Sequence, residues 1–296
     1  NYVNSTRKAS ATVYKTTTSL TNGSYPTIAA FSSRGPQPLG INILKPDITA
    51  PGINILAAYS KLVSITGDGD DSRYASFNVL SGTSMACPHV AAAAAYVKSF
   101  HPDWSAAAIK SALMTTATPM KLQGSDKELG YGSGQINPSK AVNPGLVYDI
   151  SQSLYISFLC KQGYNASSLS LLIGGRRKYN CSEFPPATGT DGLNYPSMHL
   201  QVEPNARVAA VFARTATHVG DGGSVYKATV ESPKGMVVKV LPNVLQFSKT
   251  NEKRTFKVVV KGPQLKGGAV LSGKVTWRDE NHTVISPILV CERNSF

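Results

Sequence analysis

The nine residues Gly82-Thr83-Ser84-Met85-Ala86-Cys87-Pro88-His89-Val90 hold the strongest chemical signal in the sequence. Gly82 lets the backbone approach a bound molecule closely. Ser84 stands where a loop turns into a helix, so its hydroxyl lies beside backbone N–H groups that favour developing negative charge. The small residues that follow allow close packing beneath it. This arrangement suits nucleophilic attack on a carbonyl, provided that a general base takes the hydroxyl proton, since a serine hydroxyl alone is a weak nucleophile. The lipase-type elbow G-x-S-x-G is excluded locally, because Ala86 stands where its last glycine belongs.

No histidine in the sequence has a strong claim to be that base. His89 is five residues after Ser84 on the same predicted helix, so the two side chains diverge and a structural role is expected. His101 reads as a helix-end residue. His199, His218 and His282 fall in a strand-rich half and read as surface or satisfied core residues. Asp47, in Lys45-Pro46-Asp47, reads as structural. Ser32 and Ser33, in Ser-Ser-Arg-Gly-Pro, fit either a turn or the edge of a substrate cleft.

Cysteines occur at 87, 160, 181 and 291, with no C-x-x-C pair, which argues against a zinc or redox motif. Cys160 and Cys181 flank a loop-like stretch and suit a local disulfide. Cys87, inside the serine helix, is expected to be a buried free thiol. Cys291 is either free or bonded to another chain. The acidic stretch Gly67-Asp68-Gly69-Asp70-Asp71 lacks the spacing of a calcium loop and reads as a surface loop. No metal and no cofactor are expected.

The elements that must position Ser84 divide the 296 residues into unlike halves. Residues 25–145 alternate short apolar runs, such as Ile53–Tyr59, with helical stretches, the pattern of an α/β architecture. Met85–Phe100 reads as a helix with Pro88 tolerated near its start. Ser105 is a good N-cap for a second helix with Ile109 and Leu113 on one face. Gly130, Gly132 and Gly134 mark an irregular connection that ends at Asn137-Pro138. Residues 146–190 form a bridge with a helix near 153–162. From about 206, runs rich in Val and Thr follow one another at 206–219, 225–230, 237–241, 255–261, 270–277 and 283–291, the pattern of a β-sandwich.

Composition narrows the class. Hydrophobic residues make up 42% and charged residues 16%, enough to build a core and too little charge for a disordered chain. The net charge of +13 does not read as nucleic-acid binding, because the 30 Lys and Arg are scattered. The nearest cluster, residues 232–296, has eleven basic and four acidic residues. It fits either a solvated sheet face or contact with an anionic partner such as a cell-wall polymer. The longest apolar run, Val90–Val97, is far short of the roughly 20 residues that cross a bilayer. The opening residues do not read as a signal peptide and do not begin with Met, so a processed or partial product is expected. Five N-x-S/T sequons, at Asn4, Asn22, Asn165, Asn180 and Asn281, are candidate glycosylation sites and favour a secreted protein.

The serine nonapeptide resembles the nucleophile motif of the subtilisin-like serine proteases. Upstream, Phe31-Ser32-Ser33-Arg34-Gly35-Pro36, Lys45-Pro46-Asp47-Ile48 and Ala50-Pro51-Gly52 follow in that family's order. Downstream come His101-Pro102-Asp103-Trp104-Ser105, Ile109–Ala117, Tyr131-Gly132-Ser133-Gly134 and Asn137-Pro138. Ala141–Asp149 and Leu193-Asn194-Tyr195-Pro196-Ser197 look like the cucumisin-like plant subtilases in particular.

The resemblance implies a serine endopeptidase with an Asp-His-Ser triad. Ser84 would be the nucleophile, Gly82 and Thr83 would bind substrate, and an upstream fragment would carry the Asp, the His and an oxyanion Asn. It implies a secreted protein of apoplast, latex or fruit juice, with proteins or peptides as substrates. The expected layout is the end of a protease-associated insert at 1–24, the nucleophile-bearing part of an α/β catalytic domain at 25–145, a connecting segment at 146–190, and a fibronectin-III-like sandwich at 191–296. The alternatives are a catalytically silent binding or inhibitory fragment, and a secreted β-sandwich interaction module.

Overall fold

The computed structural model describes residues 2–12, 14–15, 26–120, 127–175, 179–266 and 268–293. Along the chain run α1 (Tyr2–Ser5), β1 (Ile55–Ala58), β2 (Phe77–Leu80), α2 (Thr83–Phe100), α3 (Ala106–Thr115), α4 (Lys127–Tyr131), α5 (Pro138–Ala141), β3 (Leu146–Val147), α6 (Gln152–Lys161) and α7 (Ala166–Leu172). Eight strands complete it: β4 (Met198–Val202), β5 (Arg207–His218), β6 (Ser224–Glu231), β7 (Val237–Leu241), β8 (Val244–Phe247), β9 (Lys253–Gln264), β10 (Val270–Arg278) and β11 (Thr283–Glu292).

Residues 198–292, joined by the short β3, form two packed sheets, β4-β11-β10-β6-β8 and β3-β5-β9-β7. Strand pairs are antiparallel except β4 with β11. Alternate residues of β5 and β9 point inward, as the pleat requires. Phe212, Val258 and Val260 therefore meet Trp277 and Ile288 in one fully buried core. Phe256 and Trp277 pack edge to face at 4.9 Å, the favoured aromatic geometry. The six predicted strand runs all appear. The sequence reading missed β3, which is two residues long, and the short β4 and β8.

The first half is a mixed α/β region. Within it β1 and β2 pair as an antiparallel ribbon. Isolated bridges tie Thr49 in parallel and Thr118 in antiparallel to Gln135. α3 begins where Ser105 was expected to cap it, its hydroxyl accepting from the Ala108 amide at 3.0 Å. Helix α3 packs on both of its sides. Its Ala108, Ile109, Ala112 and Leu113 pack with Ala93 and Val97 of α2. Its Ala107 and Met114 pack on Ile150, Leu193 and Tyr195 at the approach to the sandwich.

α2 is different. Of its eighteen residues only Ala93 and Val97 are buried, although most are apolar. Tyr96, Phe100, Leu56, Phe77 and Val79 are all exposed.

The connecting segment holds a small core of its own. Ile156, Leu169 and Tyr179 are buried around the Cys160–Cys181 disulfide, which ties α6 to a short 3₁₀ turn at Cys181–Glu183.

Candidate active site

Ser84 is the second residue of α2. The helix is entered through Gly82, whose extended backbone offers no side-chain cap. The first-turn amides thus keep no side-chain acceptor, and such amides favour an anion. The turn is braced from behind by loop 50–52. The Gly82 amide donates to the Gly52 carbonyl at 2.8 Å. A Cβ at Gly52 would lie 2.8 Å from the Gly82 carbonyl oxygen, so the approach requires glycine there. The Asn54 amide donates to the Ser81 hydroxyl at 2.8 Å, adding a second tie between the two segments. Ser84 itself is exposed, and its hydroxyl has no hydrogen-bond partner among the described residues.

Beside this turn lies a cleft of about 420 Å³, lined by Phe31, Ile48, Pro51, Gly82, Thr83 and Val90 among others. Its walls are mostly apolar. Ser32 also lines it, and Ser33 does not.

The five histidines are all engaged away from Ser84. His89 Nδ1 lies 2.8 Å from the Met85 carbonyl of its own helix. His101 stacks on Trp104 at 3.8 Å and reaches the Val142 carbonyl. His199 is wholly buried with Nε2 3.4 Å from the Cys291 Sγ, and burial pushes its imidazole down to about 4. His218 is buried between Phe247 and Tyr226. His282 sits between the Asp279 carboxylate and the Asn143 side chain, at 3.0 and 3.1 Å.

Asp47 accepts from the Lys45 ammonium at 2.8 Å and from the Tyr195 hydroxyl at 2.5 Å, with the Lys110 ammonium 3.6 Å away. Burial, and then the Asp47 charge, hold the Tyr195 phenol far above its ordinary range. This cluster ties the sandwich approach to the loop that braces the serine turn. Sequence reasoning quoted both motifs without linking them, because the contact spans 148 residues.

Asp68, Asp70 and Asp71 lie in an exposed loop. Arg73 bonds to Asp71 at 2.8 Å and holds its carboxyl well below the usual range. Among the described residues no group of three or more His, Cys, Asp or Glu is placed to hold a metal.

Two cysteine readings change. Cys87 is exposed, not buried. It lines the cleft beside α2. Cys291 is a free thiol, fully buried beside His199, and burial pushes it up to about 12. Cys160 and Cys181 are joined. Of the sequon asparagines, Asn4, Asn165, Asn180 and Asn281 are exposed, and Asn22 lies outside the described residues. No helix among the described residues is long and apolar enough to cross a membrane.

Residues 3–132 match the family model described as the subtilase family, and residues 192–290 match a fibronectin type-III domain. Subtilisin-like protease SBT4.15 of Arabidopsis thaliana is 56% identical over 300 residues, covering 98% of this chain and 39% of that protein. Subtilisin-like protease SBT4.14 of the same plant is 51% identical, covering 98% and 38%. Subtilisin-like protease SBT4.9, also from Arabidopsis thaliana, is 44% identical, covering 98% and 40%. The chain thus spans about 39% of the length of the first of these curated relatives.

Proposed function

The chain belongs to the subtilase family through residues 3–132, and on that premise we propose that it supplies the nucleophile of a serine endopeptidase. The reading rests on one observation above the others. Ser84 presents an unengaged hydroxyl at the N-terminus of α2, beside an apolar cleft.

In the proposed reaction a histidine from an upstream portion of the protease takes the Ser84 Oγ proton, held in the right tautomer by an upstream aspartate. Oγ then adds to the scissile carbonyl carbon. The resulting oxyanion is held by an upstream asparagine and by backbone N–H at the start of α2. Collapse passes the proton to the departing amine and leaves an acyl-serine, which water hydrolyses with the same histidine as base. Gly82 and Thr83 line the substrate side. The residues present call for no cofactor.

The uncovered apolar surface of α2, β1 and β2 supports the upstream portion as partner, since a segment of that chemistry needs a covering layer. The exposed sequons and the disulfide support secretion, with peptides or proteins as substrates. The domain limits 1–24, 25–145, 146–190 and 191–296 belong to the same proposal.

The test is Ser84→Ala in the complete enzyme. It is expected to lower kcat by about 10⁶-fold, the scale that loss of the nucleophile carries in subtilisin, and to leave folding intact. Labelling by a serine-directed phosphonate is expected to disappear with it. Labelling or hydrolysis that survives in Ser84→Ala would overturn the assignment. Hydrolysis by this 31.4 kDa chain eluting alone in size exclusion would overturn the two-part triad.

A further inference from the structure

The outer face of the β3-β5-β9-β7 sheet is chemically one-sided. Val208, Ala210 and Phe212 of β5 and Phe256, Val258 and Val260 of β9 point into the core, so the odd-numbered neighbours face out. Those outward positions are Arg207, Ala209, Val211, Ala213 and Thr215 on β5. On β9 they are Lys253, Thr255, Lys257, Val259 and Lys261, and on β7 Val237, Lys239 and Leu241. Four are lysines and none is acidic. The four lysines are exposed, and none has an ion pair among the described residues. Basic side chains elsewhere do find acids, as Lys274 does with Glu231 and Arg254 with Glu252.

The register places these charges in a pattern. Lys253, Lys257 and Lys261 recur every four residues, roughly 14 Å apart along one strand. Lys239 stands opposite Val259 on the neighbouring strand, between Lys257 and Lys261. At one end of the row is a hollow of about 330 Å³, lined by Gly189, Thr190, Ala209, Val211, Val259 and Lys261. Its wall is a segment hydrogen-bonded to the edge of β5. The Thr190 amide donates to the Val211 carbonyl at 2.6 Å, and the Val211 amide donates to the Thr190 hydroxyl at 2.9 Å. Gly189, with φ of +79°, lies so close on β5 that a Cβ would sit 2.8 Å from the Val211 carbonyl oxygen. The lack of a side chain there lets the segment lie close against β5.

We propose that this face binds a linear carboxylated polysaccharide, a polyuronate, with one sugar unit seated in the hollow beside Lys261 and the chain tracked by the lysine row. The chemistry selects this occupant. A flat acid-free row of ammonium groups complements repeating carboxylates, and the attraction is additive along a polymer. Apart from Arg207 at the start of β5, the outward charges are lysine point charges and not the arginine forks that grip phosphate bidentately. The outward positions carry no aromatic ring on which nucleic-acid bases would stack. Their exposed apolar side chains, Val211, Val237 and Leu241, are aliphatic, with no Trp or Phe among them to anchor a bilayer. This site lies on the sandwich and is independent of the peptidase reading.

The experiment uses the full-length protein and immobilised polygalacturonate at low salt, with neutral dextran beside it. Retention on polygalacturonate alone is expected, and release by 0.5 M salt, where screening shortens to a few ångströms. The quadruple variant Lys239→Gln, Lys253→Gln, Lys257→Gln, Lys261→Gln is expected to lose affinity by about tenfold or more. A control quadruple, Lys8→Gln, Lys61→Gln, Lys140→Gln, Lys249→Gln, removes the same charge elsewhere and is expected to bind like the parent. Circular dichroism shows that both variants remain folded. Equal loss in both quadruples would overturn the proposal in favour of diffuse net charge. So would absence of retention, or sedimentation with phosphatidylserine–phosphatidylcholine vesicles that exceeds binding to polygalacturonate.

Discussion

Helix α2 and strand β9 are both rich in apolar residues, and they meet opposite fates. β9 alternates, and its inward set of Phe256, Val258 and Val260 is buried against Trp277 and Ile288 of the facing sheet. α2 runs Ala-Cys-Pro-His-Val-Ala-Ala-Ala-Ala-Ala-Tyr-Val, and it buries only Ala93 and Val97 against α3. The difference does not lie in hydrophobicity. It lies in whether a second layer exists to receive the face. Burial is a property of a pair of surfaces, and among the described residues α2 is buried only at Ala93 and Val97.

The largest effect that would break this contrast concerns opening. In this chain alone, α2 amides are expected to exchange roughly 10³-fold faster than in the complete protease, while those of β9, β10 and β11 change little. Native-state hydrogen exchange on both forms measures it. Equal protection of α2 in the two forms would mean that nothing covers it.

Next in size is a paired substitution. Trp277→Ala removes a side chain that is 0% exposed and is expected to cost about 3–5 kcal/mol in urea unfolding. Tyr96→Ala, at a side chain 46% exposed, is expected to change stability by about 0.5 kcal/mol or less in the chain alone. It should cost more only when the upstream portion is present.

The sandwich also carries a pH signature. The His199 imidazole stays neutral in the fold down to about 4, against an ordinary value of 6.5. Between those values the unfolded chain binds the extra proton. Stability is therefore whole above about pH 6.5 and falls as pH drops toward 4, by on the order of 3 kcal/mol. Thermal unfolding from pH 4 to 7 is expected to show this slope, and His199→Gln is expected to flatten it.

A smaller effect sharpens the link between the two regions. Tyr195→Phe deletes the hydroxyl that donates to Asp47 and is expected to cost about 1–2 kcal/mol. Because Lys45 and Lys110 still hold Asp47, the loop stays folded, and the loss should appear in kcat of the complete enzyme more than in KM.

How much was legible follows from the range over which each feature is decided. β7 was bounded correctly from its own five residues, because a β-branched-rich run and its flanking turn residues are local signals. β4 was missed although Met-His-Leu-Gln-Val alternates apolar and polar residues, because the run is only five residues long and its polar His199 is buried all the same. Four of its five residues are buried, with β11 beside it and Asn42 bonded to the Gln201 amide. The serine turn was legible because its glycine, serine and small residues are contiguous. The exposure of Cys87 was not, since it depends on what packs against α2, which among the described residues is buried only at Ala93 and Val97. The resting places of His199 and His282 were not either, because their partners lie 92 and 139 residues away.

Strand β3 carries a consequence for modularity. Leu146 and Val147 pair with His218 and Thr217 at the edge of a sandwich sheet, and Tyr148, 1% exposed, packs in its core near Phe256. The stretch that matches a fibronectin type-III domain begins only at residue 192. The heritable unit and the unit that folds are therefore offset. A gene segment exchanged at residue 192 would leave behind the strand that closes one sheet edge and the ring that fills the core. Recombination at residue 192 would be selected against, so the sandwich is expected to be inherited together with the segment before it, and not traded as a free cassette.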